Sequence, residues 1–297
     1  MKTNLHPRNL HRQPYDFDKL SEAVPDLKSL IKKINDRQTI DFADPKAVLL
    51  LNKALLKACY HINWDLPSDY LTPGIPGRAD YIHHIADLLS ADSEKIPTGN
   101  QIVGLDIGTG ANMIYPILGN AIYQWNFVAS DIDQHAIQNC VKLIKSNAHL
   151  ANSIELQLQD SPRNIFKNII MPQDRFNFTI CNPPFHASAN DANDAASRKV
   201  NNLSQTKTLK ADLNFGGKNN ELWCDGGELK FVTQMIFESK HYQKQVGWFT
   251  TLVSKASHIK SLEKVLAKVG TLNHKWIHMS QGNKQSRILA WRFAAAF

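Results

Sequence analysis

The chain has 297 residues, 43% of them hydrophobic and 21% charged, with six tryptophans. That supplies a large core and excludes general disorder. A net charge of +7 points to a polyanionic partner, nucleic acid first. The sequence holds no long uncharged apolar run and no signal-peptide core, so neither a membrane span nor secretion is expected.

The four cysteines, Cys59, Cys140, Cys181 and Cys224, form no CxxC pair. Neither a metal site nor a disulfide frame is suggested, and a reducing, cytoplasmic setting follows. Cys59, Cys140 and Cys181 lie in apolar stretches and read as small core residues.

Residues 1–15 carry Lys2, Arg8 and Arg12 and no acid, and read as a mobile basic arm. Residues 16–97 read as a mostly helical region. Asp44-Pro45 is a helix start signal, and Val48 to Cys59 give that helix a broad apolar side. A Pro/Gly-rich loop, Leu66 to Arg78, precedes a second helix beginning near Asp80.

From residue 98 strands and helices alternate. Strands are predicted at 102–105, 127–130, 154–158, 175–181 and 245–253, with helices near 113–119, 134–150, 227–240 and 257–269. Two closing strands, near 272–279 and 287–293, leave no room for a helix between them. The expected fold is α/β: a doubly wound parallel sheet with an antiparallel closing hairpin. The polar stretch 186–222, with Arg198, Lys199, Lys207 and Lys210, interrupts this rhythm. Its length and its place after Asn182–Phe185 make it a candidate lid and a source of phosphate contacts.

Ligands of such a sheet bind beyond the carboxyl ends of the strands. Asp106-Ile107-Gly108-Thr109-Gly110 stands where the first strand turns into a helix. Gly108 and Gly110 permit a sharp turn and a close approach to a ligand. The third glycine of a dinucleotide fingerprint is missing, its place taken by Met113, and no Gly-Lys-Ser/Thr follows. Asp106 repels a pyrophosphate and suits the ammonium of an amino acid. NAD, FAD and ATP are therefore disfavoured and S-adenosylmethionine favoured. Asp131 ends the second strand and can accept both ribose hydroxyls, with Asp133 as competitor; Asp160 ends the third and can accept from an adenine amine. Each acid alone is more often a helix cap or a solvated turn residue; in this order, at successive strand ends, they are far more specific.

Asn182-Pro183-Pro184-Phe185 ends the fourth strand. The Asn182 side-chain oxygen and the Pro183 carbonyl can take both N–H groups of a flat amine, two prolines fix the backbone, and Phe185 offers a face for a ring.

Together these stretches resemble the class I S-adenosylmethionine-dependent methyltransferases, and specifically the ribosomal RNA large subunit methyltransferase F family, adenine-N6 enzymes of 23S rRNA. The chain is also similar to the human methyltransferase-like RNA adenine-N6 enzymes. The likeness covers nearly the whole chain. It includes HPRN (6–9), PGRADYIHHIADLL (76–89), LDIGTGANMIYPILG (105–119), CNPPFHAS (181–188), LNFGGKNNELWCDGGE (213–228) and QGNKQSRILAW (281–291), with Asn283 where glutamine is expected. It implies a Rossmann-like domain over 98–297 and a donor site with Asp106, Gly108, Gly110 and Asp131. Arg78, in the loop before the second helix, would hold the donor's carboxylate. Asn182 to Phe185 would hold the target adenine. A monomer without metal, working on rRNA or a precursor particle, is expected. The alternatives are an amine methyltransferase acting on protein glutamine or DNA adenine, and an inactive RNA-binding assembly factor on the same scaffold.

Overall fold

The computed structural model describes residues 5–91, 95–184, 224–281 and 284–293. The expected sites Lys2, Phe185, Arg198, Lys199, Lys207 and Lys210, and the loop 186–222, lie outside the described residues.

Seven strands form the central sheet: β3 (Val103–Ile107), β4 (Asn126–Asp131), β5 (Ile154–Leu158), β6 (Phe176–Cys181), β7 (Val246–Val253), β8 (Asn273–Gln281) and β9 (Lys284–Arg292). Their order is β5-β4-β3-β6-β7-β9-β8. β3 to β7 run parallel, while β9 is antiparallel to both β7 and β8. The chain moves outward from β3 through β4 to β5, then returns to place β6 on the other side of β3. The crevice between the ends of β3 and β6 is thus the switch point where such sheets bind ligands. Ile107 lies opposite Cys181 there.

Helices cover both faces. α2 (Pro45–Tyr60), α3 (Ile75–Ser90), α4 (Ile114–Tyr123) and α5 (Gln134–Lys145) share one core with the sheet, in which Leu55, Ile82, Ile117 and Cys140 join Phe178, Trp248 and Ile288. α6 (Gly227–Ser239) and α7 (Ile259–Val269) cover the opposite face, where Met235 and Leu266 pack with Phe249 and Trp291. The α2 start is read correctly from its cap: Asp44 accepts the Lys46 amide at 2.9 Å, with Pro45 in the first position.

The N-terminal region differs from expectation in two ways. It holds α1 (Phe17–Ala23) and also a short antiparallel hairpin, β1 (Ile31–Ile34) and β2 (Arg37–Ile40). The connecting Asn35 and Asp36 both have positive φ, as a tight two-residue turn requires.

Residues 5–15 are not a free arm. Leu5, His6, Asn9 and His11 are buried. Asp80, on α3, accepts the His6 amide at 2.6 Å and the Asn9 side chain at 3.0 Å. Arg8, expected to contact phosphate, spends its guanidinium internally: on Asp87 at 2.6 Å, the Tyr123 hydroxyl at 2.9 Å and the His83 carbonyl at 3.1 Å. Two acids on α3, buried Asp80 and exposed Asp87, draw the basic segment inward. Arg12 is exposed and reaches the Pro7 carbonyl at 3.5 Å. His6, His84 and Asp87 are close enough together to hold a cation. His6 Nδ1, however, accepts the Arg8 amide at 3.2 Å, so Nε2 carries the proton that goes to Asp87 at 2.8 Å. Cys59 is exposed rather than part of the core; Cys140 and Cys181 are buried.

Candidate active site

A cavity of about 590 Å³ opens at the switch point between β3 and β6. Arg78, Gly108, Gly110, Asp131, Asn182 and Pro183, all singled out in the sequence, border it. They come from α3 and from the ends of three strands.

The turn after β3 is pinned by hydrogen bonds. Gly108 and Gly110 have φ of +70° and +62°, which an ordinary residue resists. The Gly108 and Thr109 amides donate to the Ser130 carbonyl at 2.9 and 3.0 Å, and the Gly110 amide donates to Asp131 Oδ2 at 2.8 Å. Asn139 and Cys140 of α5 donate to the Ala111 and Gly110 carbonyls at 2.8 and 3.2 Å. The turn's amides therefore face β4 rather than forming a phosphate cradle, and a pyrophosphate ligand does not fit. A Cβ added to Gly108 would meet nothing within 4 Å, so its outer face is left open.

Asp106 stands just behind the cavity wall, 1% exposed, with neither carboxylate oxygen hydrogen-bonded. Burial pushes its pKa up to about 7; Asp131 adds to the rise, and the nearby Thr109 hydroxyl and Arg78 oppose it. An unpartnered buried carboxylate needs a cation or a proton. Asp131 is also raised, first by burial, although the Asp133 and Gly110 amides favour its charged form. Asp133 caps α5 through the His135 amide at 2.8 Å and accepts the Tyr70 hydroxyl at 2.7 Å.

Arg78 lies in the first turn of α3, not in the loop before it, because the helix begins at Ile75 with Pro76 next. It donates to the Tyr115 hydroxyl at 2.7 Å, and its guanidinium lies 5.4 Å from the centre of the Tyr115 ring. Asn182 Oδ1 is buried without a partner, the only such atom at the end of β6 among the described residues.

Asp160 does not join these residues. It is exposed and accepts from Asn168 Nδ2 at 3.3 and 3.1 Å, and its neighbour Gln159 borders the cavity in its place. Alternation along the chain turns one of the pair inward and the other outward. Tyr70, Tyr115 and Gln234 also border the cavity and were not found from sequence. Tyr70 and Tyr115 sit in stretches that read as loop and helix, and no local pattern marks them.

The RNA methyltransferase family matches residues 1–295 of the chain. The ribosomal RNA large subunit methyltransferase F of Flavobacterium johnsoniae is 58% identical over 298 residues, spanning 98% of this chain and 94% of that one. The protein of the same name from Bacteroides fragilis is 50% identical over 302 residues, spanning 98% and 99%. The chain belongs to the ribosomal RNA large subunit methyltransferase F family. It is an RNA methyltransferase with an α/β sheet, as the resemblance implied. Among solved structures, the human METTL16 catalytic domain in complex with a MAT2A 3'UTR hairpin superposes with a TM-score of 0.81 at 29% identity, covering 98% of this chain and 97% of that one. The N-terminal domain of human METTL16 in complex with S-adenosylhomocysteine gives 0.77 at 27%, covering 98% and 99%.

Proposed function

We propose that the chain transfers a methyl group from S-adenosylmethionine to the N6 amine of one adenine in 23S ribosomal RNA. The observation that carries this reading is the unpartnered Asn182 oxygen, buried at the end of β6 and bordering the cavity. The residues present suit the donor. Asp106 is an orphaned buried carboxylate for its ammonium, Arg78 a planar cation for its carboxylate, and Asp131 an acceptor for its ribose. Gln159 replaces Asp160 at the third strand end. When bound, S-adenosylmethionine supplies an electrophilic methyl on a sulfonium.

The chain's own part is alignment. Asn182 Oδ1 and the Pro183 carbonyl accept the two N–H groups of the amine, favouring a pyramidal nitrogen with its lone pair directed at the methyl. The proton leaves after transfer, when the nitrogen is cationic, so no strong general base is needed. Cys181 is not a nucleophile: burial raises its thiol pKa far above the ordinary value. Taking the adenine out of its stack costs a few kcal/mol, and stacking on Phe185 returns about 1–3 kcal/mol in this reading. Such an enzyme works as a monomer in the cytoplasm, where ribosomes are assembled.

The test is methyl transfer from radiolabelled donor to protein-free rRNA, precursor particles and release-factor protein, with nucleoside analysis. Label in N6-methyladenosine is expected. Label in glutamine moves the target to protein, and donor binding without any label leaves an inactive scaffold.

A further inference from the structure

β6 and β7 lie side by side, but their register ends at Phe178 opposite Trp248. β6 runs on to Cys181, immediately before Asn182. Over that stretch side chains replace the ladder. The Thr250 amide donates to Thr179 Oγ1 at 3.1 Å, and the Thr250 hydroxyl donates to the Thr179 carbonyl at 2.5 Å. A hydroxyl has one proton to give. With that of Thr250 committed, the 2.8 Å contact between the Tyr81 and Thr250 hydroxyls has one direction: Tyr81 donates. The run therefore starts on α3 at Tyr81, passes through Thr250 of β7, and ends on β6 at the Thr179 carbonyl, two residues before Cys181. Tyr81, Thr179 and Thr250 are each 0% exposed.

Tyr81 follows Arg78 by three residues on α3, which puts both on one side of the helix. The Tyr115 ring, whose hydroxyl holds Arg78, meets the Tyr81 ring edge-on at 5.4 Å. Tyr81 does not border the cavity, and the mechanism above makes no use of it.

We infer that the Tyr81 hydroxyl is a positioning group that fixes the end of β6, and with it the Asn182 acceptor, against the Arg78 side of the cavity. The inference rests on the proposed role of Asn182. Phenylalanine fills the same space, so the hydroxyl's contribution lies in these bonds alone. Without it, one Thr250 acceptor is buried unpaired, and the chain leading to Asn182 is free to shift.

The test compares the wild type with Tyr81→Phe, Thr250→Val and the double variant. Turnover and KM on RNA, donor affinity by calorimetry, and hydrogen exchange at the Cys181 and Asn182 amides are read together. The expected result is a roughly ten- to hundred-fold fall in kcat with KM and donor Kd changed less than about twofold. Exchange at the two amides rises at least about fivefold, and the double variant is no worse than either single. Unchanged exchange overturns the inference, as does wild-type kcat in Tyr81→Phe or a loss that tracks donor affinity or folded fraction. A wild type that moves no methyl to adenine sinks the proposed function instead, and the exchange comparison still decides the role of Tyr81.

Discussion

The Gly110 amide and the Asp131 carboxylate meet at 2.8 Å, which makes the glycine turn after β3 and the end of β4 one hydrogen-bonded unit. Asp131 Oδ1 also accepts the Asp133 amide at 2.9 Å. The carboxylate is thus aimed before any ligand arrives, and only its remaining lone pairs are open to a diol.

Asp131→Ala is accordingly expected to weaken donor binding by about 10- to 100-fold, since both the contact and the turn are lost. Asp133→Ala, which removes the cap of α5, should cost about 1 kcal/mol of stability and little donor affinity. Calorimetric titration of the two variants separates the acids. The reverse ranking would assign the ribose to Asp133.

Asn182→Ala should lower kcat by about 100- to 1,000-fold and leave donor Kd within about twofold, because in the proposed reading the side chain serves the acceptor amine. Single-turnover rates and donor titration on one preparation check this. Loss of donor binding with turnover retained would remove Asn182 from the acceptor site.

Asp106 links both stability and donor binding to pH. Its folded pKa, about 7, stands above the ordinary carboxylate value of 3.8, so between these the unfolded chain has lost a proton that the folded one keeps. Stability from this group is present below about pH 4 and falls by about 1.4 kcal/mol per pH unit up to about pH 7. Relative to Asp106→Asn, the wild type should lose stability over this window in urea titrations. Donor binding by the wild type should strengthen towards pH 7 and release a proton below it, seen as buffer-dependent calorimetric heats. A flat difference across the window would mean that Asp106 is ionised without a ligand.

Deleting residues 1–12 should destabilise the protein, because Asp80, a buried carboxylate, loses the His6 and Asn9 donors and keeps only His84 at 3.6 Å, and because buried Leu5 and His11 are lost from the packing. The expected cost is about 3 kcal/mol or more, with faster proteolysis near α3. A merely electrostatic arm would leave the urea midpoint unchanged and alter only the salt dependence of RNA binding.

β3, β4 and β6 were legible because each is a short, largely apolar run that ends at an acid or at Asn-Pro-Pro, β5 because it alternates, and β7 because it is a long run of apolar and β-branched residues. β5 was read to the residue, and β6 and β7 to within one. Arg78 was assigned to a loop because Gly74-Ile75-Pro76-Gly77 reads as a breaker, although proline in the first turn is equally a start signal. β1 and β2 escaped notice because four-residue strands rich in lysine, arginine and glutamine show no alternation. The packing of residues 5–15 was illegible for another reason: the partners of His6, Arg8 and Asn9 are acids more than 70 positions away. The same limit hid Tyr70 and Tyr115, whose roles arise only when distant strands and helices assemble.

The layer formed by α2 and α3 leaves the ribosome first, yet it packs into a core completed by Trp248 and Ile288. The bond between Tyr81 and Thr250 spans 169 positions. During synthesis that apolar layer must therefore wait, unsatisfied, until the final strands emerge. Truncation before β7 should therefore yield an aggregating product rather than a smaller folded domain.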